Sequence, residues 1–368
     1  MQIKTVLATG VLGLSAAAPA FAQSSVQIYG IVDAAVRHTN NEGSAGSNRG
    51  TVTQLMGGGM SQSRWGINVT EDMGGGLKAL ANLENRFGAD TGLPTTPYFQ
   101  QSWVGLQSAS FGRITLGRQY NVLFDLVTST YASYPYSPYF DAYKPEIGFA
   151  LGARADNMAK YLIEVGPFRG ALQASAAERS PTGGMTRGGY LRYAQGPIAA
   201  GVGYQNYQFG SGRKIEAWTL GGSYRVGPWY FNTGYGQNKV DAGLTATDRA
   251  VLSAFWGGGM NGGFGGPAFL AADKREIAKL GVGYQVTPQL NLGAHYFYAR
   301  QSGPTSNADG RARFLTAAAD YAFSKRTDVY IEADATRLSG DVSLNGANGA
   351  ANGAKSRNGY TVGVRHRF

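Results

Sequence analysis

The chain has 368 residues, a formal net charge of +10 and no cysteine. The lack of cysteine excludes thiolate catalysis, cysteine-ligated zinc and iron–sulfur clusters, and three histidines supply few groups for a metal site or an acid–base triad. Glycine (55 residues) and tyrosine (22) are abundant. Charged residues make up only 15% of the chain, against roughly 25% in ordinary soluble domains.

Residues 1–22 have the pattern of a cleaved signal peptide. "MQIK" carries one positive charge, an apolar run follows, and "AFA" stands before Gln23, as small residues do before a cleavage site. We therefore expect export and a mature chain that begins at Gln23. Loss of Lys4 would leave a net charge of +9, that is 10 − 1.

Segments of about ten residues that alternate apolar and polar side chains follow along the mature chain. In "SVQIYGIVDAAVR", Ile28, Val32 and Val36 fall on one face of a strand, and Tyr29 and Arg37 fall on the other. The same alternation occurs in "SRWGINV", "GLKALANLENRF", "RADNMAKYLIEV" and the final "GYTVGVRHRF". The second face is frequently charged, but an ordinary β-sandwich also buries an apolar face and exposes a polar one to water, so alternation alone does not decide the fold.

Strand length and the connections favour a transmembrane antiparallel β-barrel, apolar outside and polar inside. Short turns such as "VGP" alternate with long polar or glycine-rich stretches, the asymmetry of an outer-membrane barrel. The predicted long loops are 38–60, 88–97, 120–153, 179–187, 240–272, 301–310 and 339–357.

The strand count depends on one segment, "TATDRAVLSAFW" (245–256). With it there are seventeen candidate strands, and the alternation of short and long connections fails. Without it, 240–273 is one long loop and sixteen strands remain, an even number as in single-chain bacterial barrels. The prediction is an all-β, sixteen-stranded barrel that occupies 23–368 as one domain.

Five stretches, in this order, resemble the Gram-negative general porins: "VQIYGIVDA", "SRWGINVTEDMGGGLKALANLE", "WVGLQSASFGRITLGRQY", "ADNMAKY" and "GVRHRF". The resemblance runs from about Gln23 to Phe368. It implies a homotrimer in the lipid and lipopolysaccharide of the outer membrane. Each barrel would be a water-filled pore for passive diffusion of ions and small hydrophilic solutes. The terminal Phe368 resembles the signal by which the outer-membrane assembly machinery recognises the last strand.

The resemblance also implies that the third long loop, 120–153, folds into the lumen and narrows it. Its run "YASYPYSPYFDAY" has the bulk to pack against an inner wall. The alternative is an ordinary surface loop held by its own tyrosines.

The basic side of such a constriction is expected from three motif positions and two further residues. Arg64 in "SRWG", Arg118 in "LGRQY" and Arg154 before "ADNMAKY" match the arginine ladder of the resembling porins. Lys78 and Arg86 are added because alternation places them on the inner face. Arg118 shares its parity with apolar neighbours and would need a β-bulge to reach the lumen. Any one of these residues could instead be a solvated wall residue paired with an acid.

The acidic side is expected on the folded loop. Asp125 in "LFDLV" matches the start of the inserted loop of the resembling porins, and Asp141 and Glu146 lie further along. The usual acidic motif at the loop tip is replaced here by "KPEIG". The sequence therefore predicts a lumen with more positive than negative charge.

Basic residues spread along alternating strands favour small anions, and export argues against nucleic acid as a partner. No cofactor is expected, and a metal is left open. A substrate-specific anion channel with a saturable site is the alternative function. An outer-membrane enzyme would need a nucleophile, a base and an orienting acid, and the sequence offers no such set. A closed anchor or adhesin would have fewer strands.

Overall fold

The structure is a computed structural model that describes residues 24–43, 50–133, 152–177, 184–256, 272–305, 308–344 and 352–368, with only the backbone of 252–256. Strands and two helices make up the regular elements of these residues. The strands are β1 (Ser25–Asn40), β2 (Thr51–Met56), β3 (Arg64–Gly74), β4 (Leu77–Phe87), β5 (Pro94–Ser108), β6 (Gly112–Tyr120), β7 (Arg154–Val165), β8 (Phe168–Ser175), β9 (Met185–Gln195), β10 (Ile198–Gln208), β11 (Lys214–Val226), β12 (Trp229–Val240), β13 (Lys274–Gln285), β14 (Leu290–Ser302), β15 (Gly310–Ala322), β16 (Thr327–Gly340) and β17 (Ser356–Arg367). The helices are α1 (Val122–Thr130) and α2 (Ala246–Trp256).

The strands form one closed antiparallel barrel. β17 pairs with β16 on one side and with β1 on the other, with His366 opposite Val32. β2 and β3 occupy a single position, because β2 pairs with 35–40 of β1 and β3 pairs with 25–31 of the same strand. Seventeen strands therefore fill sixteen positions, which confirms the predicted sixteen-stranded barrel. Residues 246–256 are helical, so their exclusion from the strand count is also confirmed.

Side chains alternate across the wall as the sequence predicts. In β17, Tyr360 and Val362 are 60% and 59% exposed on the outer face, whereas Thr361 and Arg365 are buried on the inner face. The backbone N–H of Phe368 donates to the Gly30 carbonyl at 3.0 Å, and the N–H of Gly30 donates back at 3.0 Å. These bonds extend the closing β1–β17 ladder to the end of β17.

Connections differ between the two ends of the barrel. Seven short turns lie at one end, at 75–76, 109–111, 166–167, 196–197, 227–228, 286–289 and 323–326. The opposite end carries the long connections, including 121–153 and 241–273. One connection there, 209–213, is short, and the sequence predicts it neither as a long loop nor as a short turn.

The inner wall is less polar than the sequence predicts at the loop end of β11–β16. Ile277, Phe297 and Phe314 point inward and are buried, and Val342 and Leu344 of the β16–β17 loop pack on them. The prediction of a polar inside was wrong there, because strand alternation cannot show that a loop folds back and covers an inner face.

Among the described residues, no helix combines the length and apolar character needed to cross a membrane.

Candidate pore constriction

α1 lies inside the barrel at the start of the third long connection. Asn121 caps it, because its side-chain oxygen accepts a hydrogen bond from the Phe124 N–H at 2.8 Å. The N–H of Val122 donates to Oε1 of Gln173 on the inner face of β8 at 2.7 Å. Leu123 and Leu126 are fully buried between the helix and the wall. The helix is therefore fixed to the wall from its first turn.

The wall opposite α1 is built from glycines, which allow close approach. A Cβ atom on Gly203 would lie 2.9 Å from Cδ2 of both Leu123 and Leu126, too close for carbon atoms. Tyr131, just after α1, packs on Gly221, and its Oη lies 2.6 Å from Thr219 Oγ1. The start of the predicted constriction loop thus rests against β8–β11, whereas 134–151 lies outside the described residues.

Tyr120, the last residue of β6, accepts hydrogen bonds from two arginines beside this helix. The Nη2 atom of Arg154 donates to Tyr120 Oη at 2.6 Å, and Arg86 donates to the same oxygen. The Arg154 guanidinium carbon lies 4.2 Å from the centre of the Tyr120 ring, within cation–π range. Phe124 of α1 stacks on that ring at 3.9 Å between centroids. Tyr120 therefore joins the basic wall to the helix.

A third arginine and one carboxylate complete this group. Arg64 lies directly opposite Arg86 on neighbouring strands, an unfavourable pairing of like charges unless an acid separates them. Glu84 supplies that acid, with Oε1 3.2 Å from Arg86 Nε and Oε2 3.9 Å from Arg64 Nη1. We call Arg64, Arg86, Arg154, Glu84 and Tyr120 the arginine cluster. Three cations and one anion give it a net charge of +2.

Residues 57–63, here called the inward segment, leave the wall between β2 and β3. The sequence predicts 57–60 as the end of the loop 38–60 and Ser63 as the start of the next strand. The Asp33 carboxylate on the inner face of β1 accepts from the N–H groups of Gly59 at 3.1 Å and Ser61 at 2.7 Å. Gln62 of this segment accepts a hydrogen bond from Arg86 through Oε1. The inward segment therefore borders the arginine cluster, and only its glycine run signalled an irregular backbone.

The acid side of the constriction is partly described. Asp125, in the first turn of α1, forms an ion pair with Lys160 of β7, with 2.6 Å between Oδ2 and Nζ. Lys160 also donates to the Tyr120 carbonyl at 2.9 Å. Alternation in the sequence places Lys160 on the inner face, but only the fold shows that Lys160 lies next to Asp125. Asp141 and Glu146 lie outside the described residues.

Two expected basic residues lie away from the arginine cluster. Arg118 forms an ion pair with Asp156, whose side chain is 66% exposed, and it aligns with Ser102 of β5. The side chains on either side of Ser102, Gln101 and Trp103, line an inner cavity, so alternation places Arg118 on the outer face. A register irregularity does occur at Gly117–Gln119, but it leaves Arg118 outside. Lys78 is exposed beside the turn at 75–76.

Comparison with known proteins supports the same architecture. A family model described as Gram-negative porin matches residues 6–341. Outer membrane porin protein 32 of Delftia acidovorans is 33% identical over 240 residues, which cover 61% of this chain and 66% of that protein. An outer membrane porin protein of Bordetella pertussis is 26% identical and is covered over its full length, with 99% of this chain.

Among solved structures, the anion-selective porin from Comamonas acidovorans is similar to this chain, with a TM-score of 0.74 and 25% identity. The similarity covers 94% of this chain and 100% of that porin. The long family match agrees with the closed sixteen-stranded barrel. The chain belongs to the Gram-negative porin family of outer-membrane channel proteins.

Proposed function

We propose that the chain forms a water-filled pore through which small anions and other small hydrophilic solutes diffuse passively. The observation that carries the anion preference is the arginine cluster, in which Arg64, Arg86 and Arg154 face a single carboxylate, Glu84. Fixed charge acts strongly on ions in a narrow, low-dielectric passage. Asp125 lies beside Tyr120 but does not offset this charge, because Lys160 neutralises it.

Barrel size supports diffusion as the mode of transport. A barrel of 16–18 strands leaves an aqueous channel, and α1 packs mainly against β8–β11, on one side of the lumen. Ions and solutes that fit beside Tyr120 would pass without any covalent step. A similar fold occurs in a porin described as anion-selective, which supports the same preference here.

We propose further that this pore works as an exported homotrimer. Residues 1–22 would be removed as a signal peptide, and 23–368 would form the single barrel domain in outer-membrane lipid and lipopolysaccharide. The exposed Arg118–Asp156 pair supports a subunit contact, because charge on the outer wall is costly against hydrocarbon. Phe368, paired with Gly30 beside the closing strands, would carry the assembly signal.

Replacement of both Arg64 and Arg154 by glutamine tests the pore charge. Arg86 is kept because its Nε atom pairs with Glu84. Without Arg86, the buried carboxylate of Glu84 would have no cationic partner in this variant. We expect the chloride-to-potassium permeability ratio to fall about fivefold, since the loss of positive charge would reduce the preference for chloride over potassium by roughly 1 kcal/mol. The measurement is the reversal potential in planar bilayers under a KCl gradient.

The matched control removes two positive charges from exposed positions of β15, by replacing Arg311 and Arg313 with glutamine. This control should keep the wild-type ratio. Equal ratios in wild type and the Arg64→Gln, Arg154→Gln variant would show that the selective charge lies elsewhere in the pore.

A further inference from the structure

A cavity of about 270 Å³ lies between α1 and strands β5–β9, on the short-turn side of Tyr120. The residues that the following inference uses are Gln101, Trp103, Arg113, Leu162 and Arg169. They are inner-face residues of β5–β8, and Arg113 aligns directly with Leu162 across β6 and β7. An ion that passed the arginine cluster from the loop end would reach this cavity next.

Part of the cavity wall is rigidly hydrogen-bonded. Gln119 accepts from Thr115 Oγ1 at 2.6 Å and donates to main-chain carbonyls of β6 and β7. Lys160 is held between the Asp125 carboxylate and the Tyr120 carbonyl. These side chains keep a fixed shape at the inner end of the cavity.

Three donors in the same cavity have no protein acceptor among the described residues. They are the guanidinium of Arg113, the amide of Gln101 and the indole N–H of Trp103, each lining the cavity. An arginine fork presents parallel N–H groups that match a carboxylate. The donors of this cavity are therefore available to an anionic solute.

The charge of the cavity is positive. Arg113, Lys160 and Arg169 line it together with one acid, Asp125, which gives three minus one, or +2. Arg169 also aligns with Arg192 on the neighbouring strand, so a further cation lies close by. Glu164 pairs with Arg169 near the short-turn end, which lowers the net charge to +1 and leaves Arg113 as the lining cation without an acid partner among the described residues.

Apolar surface stands beside these donors. Both Trp103 and Leu162 line the cavity. Leu162 of β7 aligns with Arg113, and Trp103 of β5 aligns with Gly117, further along β6. An indole ring offers a large flat surface on which a planar ligand stacks favourably. A purely hydrophilic anion would use the guanidinium but not this surface.

We propose that this cavity is a saturable site for a small aromatic monocarboxylate. The carboxylate would bind the Arg113 fork, and the ring would lie against Trp103 and Leu162. This inference rests on the proposed anion preference and adds a substrate class to it. The pore would thus select twice, by charge at the arginine cluster and by an apolar body in the cavity.

Block of chloride current in planar bilayers tests the site, with benzoate as the probe and acetate as the same charge without a ring. Wild-type current should fall with benzoate to a saturating level, and acetate should block much more weakly. Arg113→Gln should raise the half-blocking benzoate concentration about tenfold, as expected for loss of a charge-assisted hydrogen bond. Trp103→Leu should weaken block by benzoate while leaving the effect of acetate unchanged.

Lys78→Gln is the matched control, because it removes one exposed positive charge near the short-turn end without touching the cavity. It should keep the wild-type block. Non-saturating block, equal block by acetate, or no change in Arg113→Gln would overturn the site. Reversal potentials in KCl on the same membranes separate the two proposals. A chloride-selective pore without benzoate block refutes only the cavity site, whereas a potassium-selective pore refutes the anion preference itself.

Discussion

At the scale of single residues, alternation identified the face of a side chain but not its height along the pore. Arg86 and Lys78 share the inner face of β4, but eight residues separate them, about 27 Å at ~3.4 Å per residue. Arg86 reaches Tyr120, and Lys78 stays at the turn. Tyr120 itself was not singled out, because a tyrosine at a strand end is also typical of an aromatic girdle.

Arg118 gives the sharpest residue-level prediction, since its motif places it in the pore and the structure places it outside. Arg118→Gln should leave the chloride-to-potassium permeability ratio unchanged, because the lost charge pairs with Asp156 on the outer wall. Reversal potentials should be compared with those of Arg64→Gln, which removes one charge from the arginine cluster. A shift in Arg118→Gln as large as that in Arg64→Gln would place Arg118 in the lumen.

At the scale of elements, the sequence predicted where the inserted loop starts but not the helix α1 that anchors it. Asn121 and the apolar residues that follow it are a helix signal, yet resemblance described the whole of 120–153 as a loop. The glycines of the strands that face α1 did not indicate a close contact with a helix, because glycine within a strand has several explanations. Only the barrel's curvature brings Gly203 of β10 against Leu123 and Leu126.

Filling the glycine wall should therefore displace α1. Gly203→Val would place carbon within 2.9 Å of two leucine methyl groups, and such overpacking costs about 1–3 kcal/mol. We expect a lower thermal midpoint by circular dichroism and an altered single-channel conductance. Gly170→Val is the control, because a Cβ there meets its nearest neighbours at 3.9 Å. Wild-type conductance and midpoint in Gly203→Val would show that α1 does not depend on this contact.

The inward segment, 57–63, was missed for a related reason. The sequence showed "GGGMSQS" between two strands, and such a run is typical of a surface loop. Its position inside the barrel depends on Asp33, which binds the backbone of Gly59 and Ser61 from the inner face of β1. Tyr330 accepts from the same stretch of backbone, and local composition does not reveal these distant partners.

At the scale of the whole molecule, strand alternation and the even strand count predicted the closed barrel correctly. What they did not predict is the polar network that joins the closing strands to the inward segment. Arg365 of β17 donates from Nε to Asp328 of β16 at 3.0 Å and from Nη1 to Ser61 Oγ at 2.9 Å. Three chain segments that are distant in sequence meet at this guanidinium.

Arg365→Met should destabilise the closed barrel. Asp328 is buried and keeps Arg367 as a partner, so we expect a cost of about 1.5–3 kcal/mol, that of a lost hydrogen bond between charged groups. We expect a lower temperature for loss of β-sheet circular dichroism in detergent. Arg311→Met, at an exposed position of β15, is the control and should keep the wild-type temperature. An equal temperature for Arg365→Met would show that backbone pairing alone holds the seam.

The zero-current potential of the unmodified protein in a KCl gradient is the most direct test of an anion-preferring pore. A positive arginine cluster at the constriction predicts a potential whose sign follows the chloride gradient. High salt should reduce its magnitude, because mobile ions screen fixed charge over about 10 Å at 0.1 M. A potential that follows potassium instead would contradict the account.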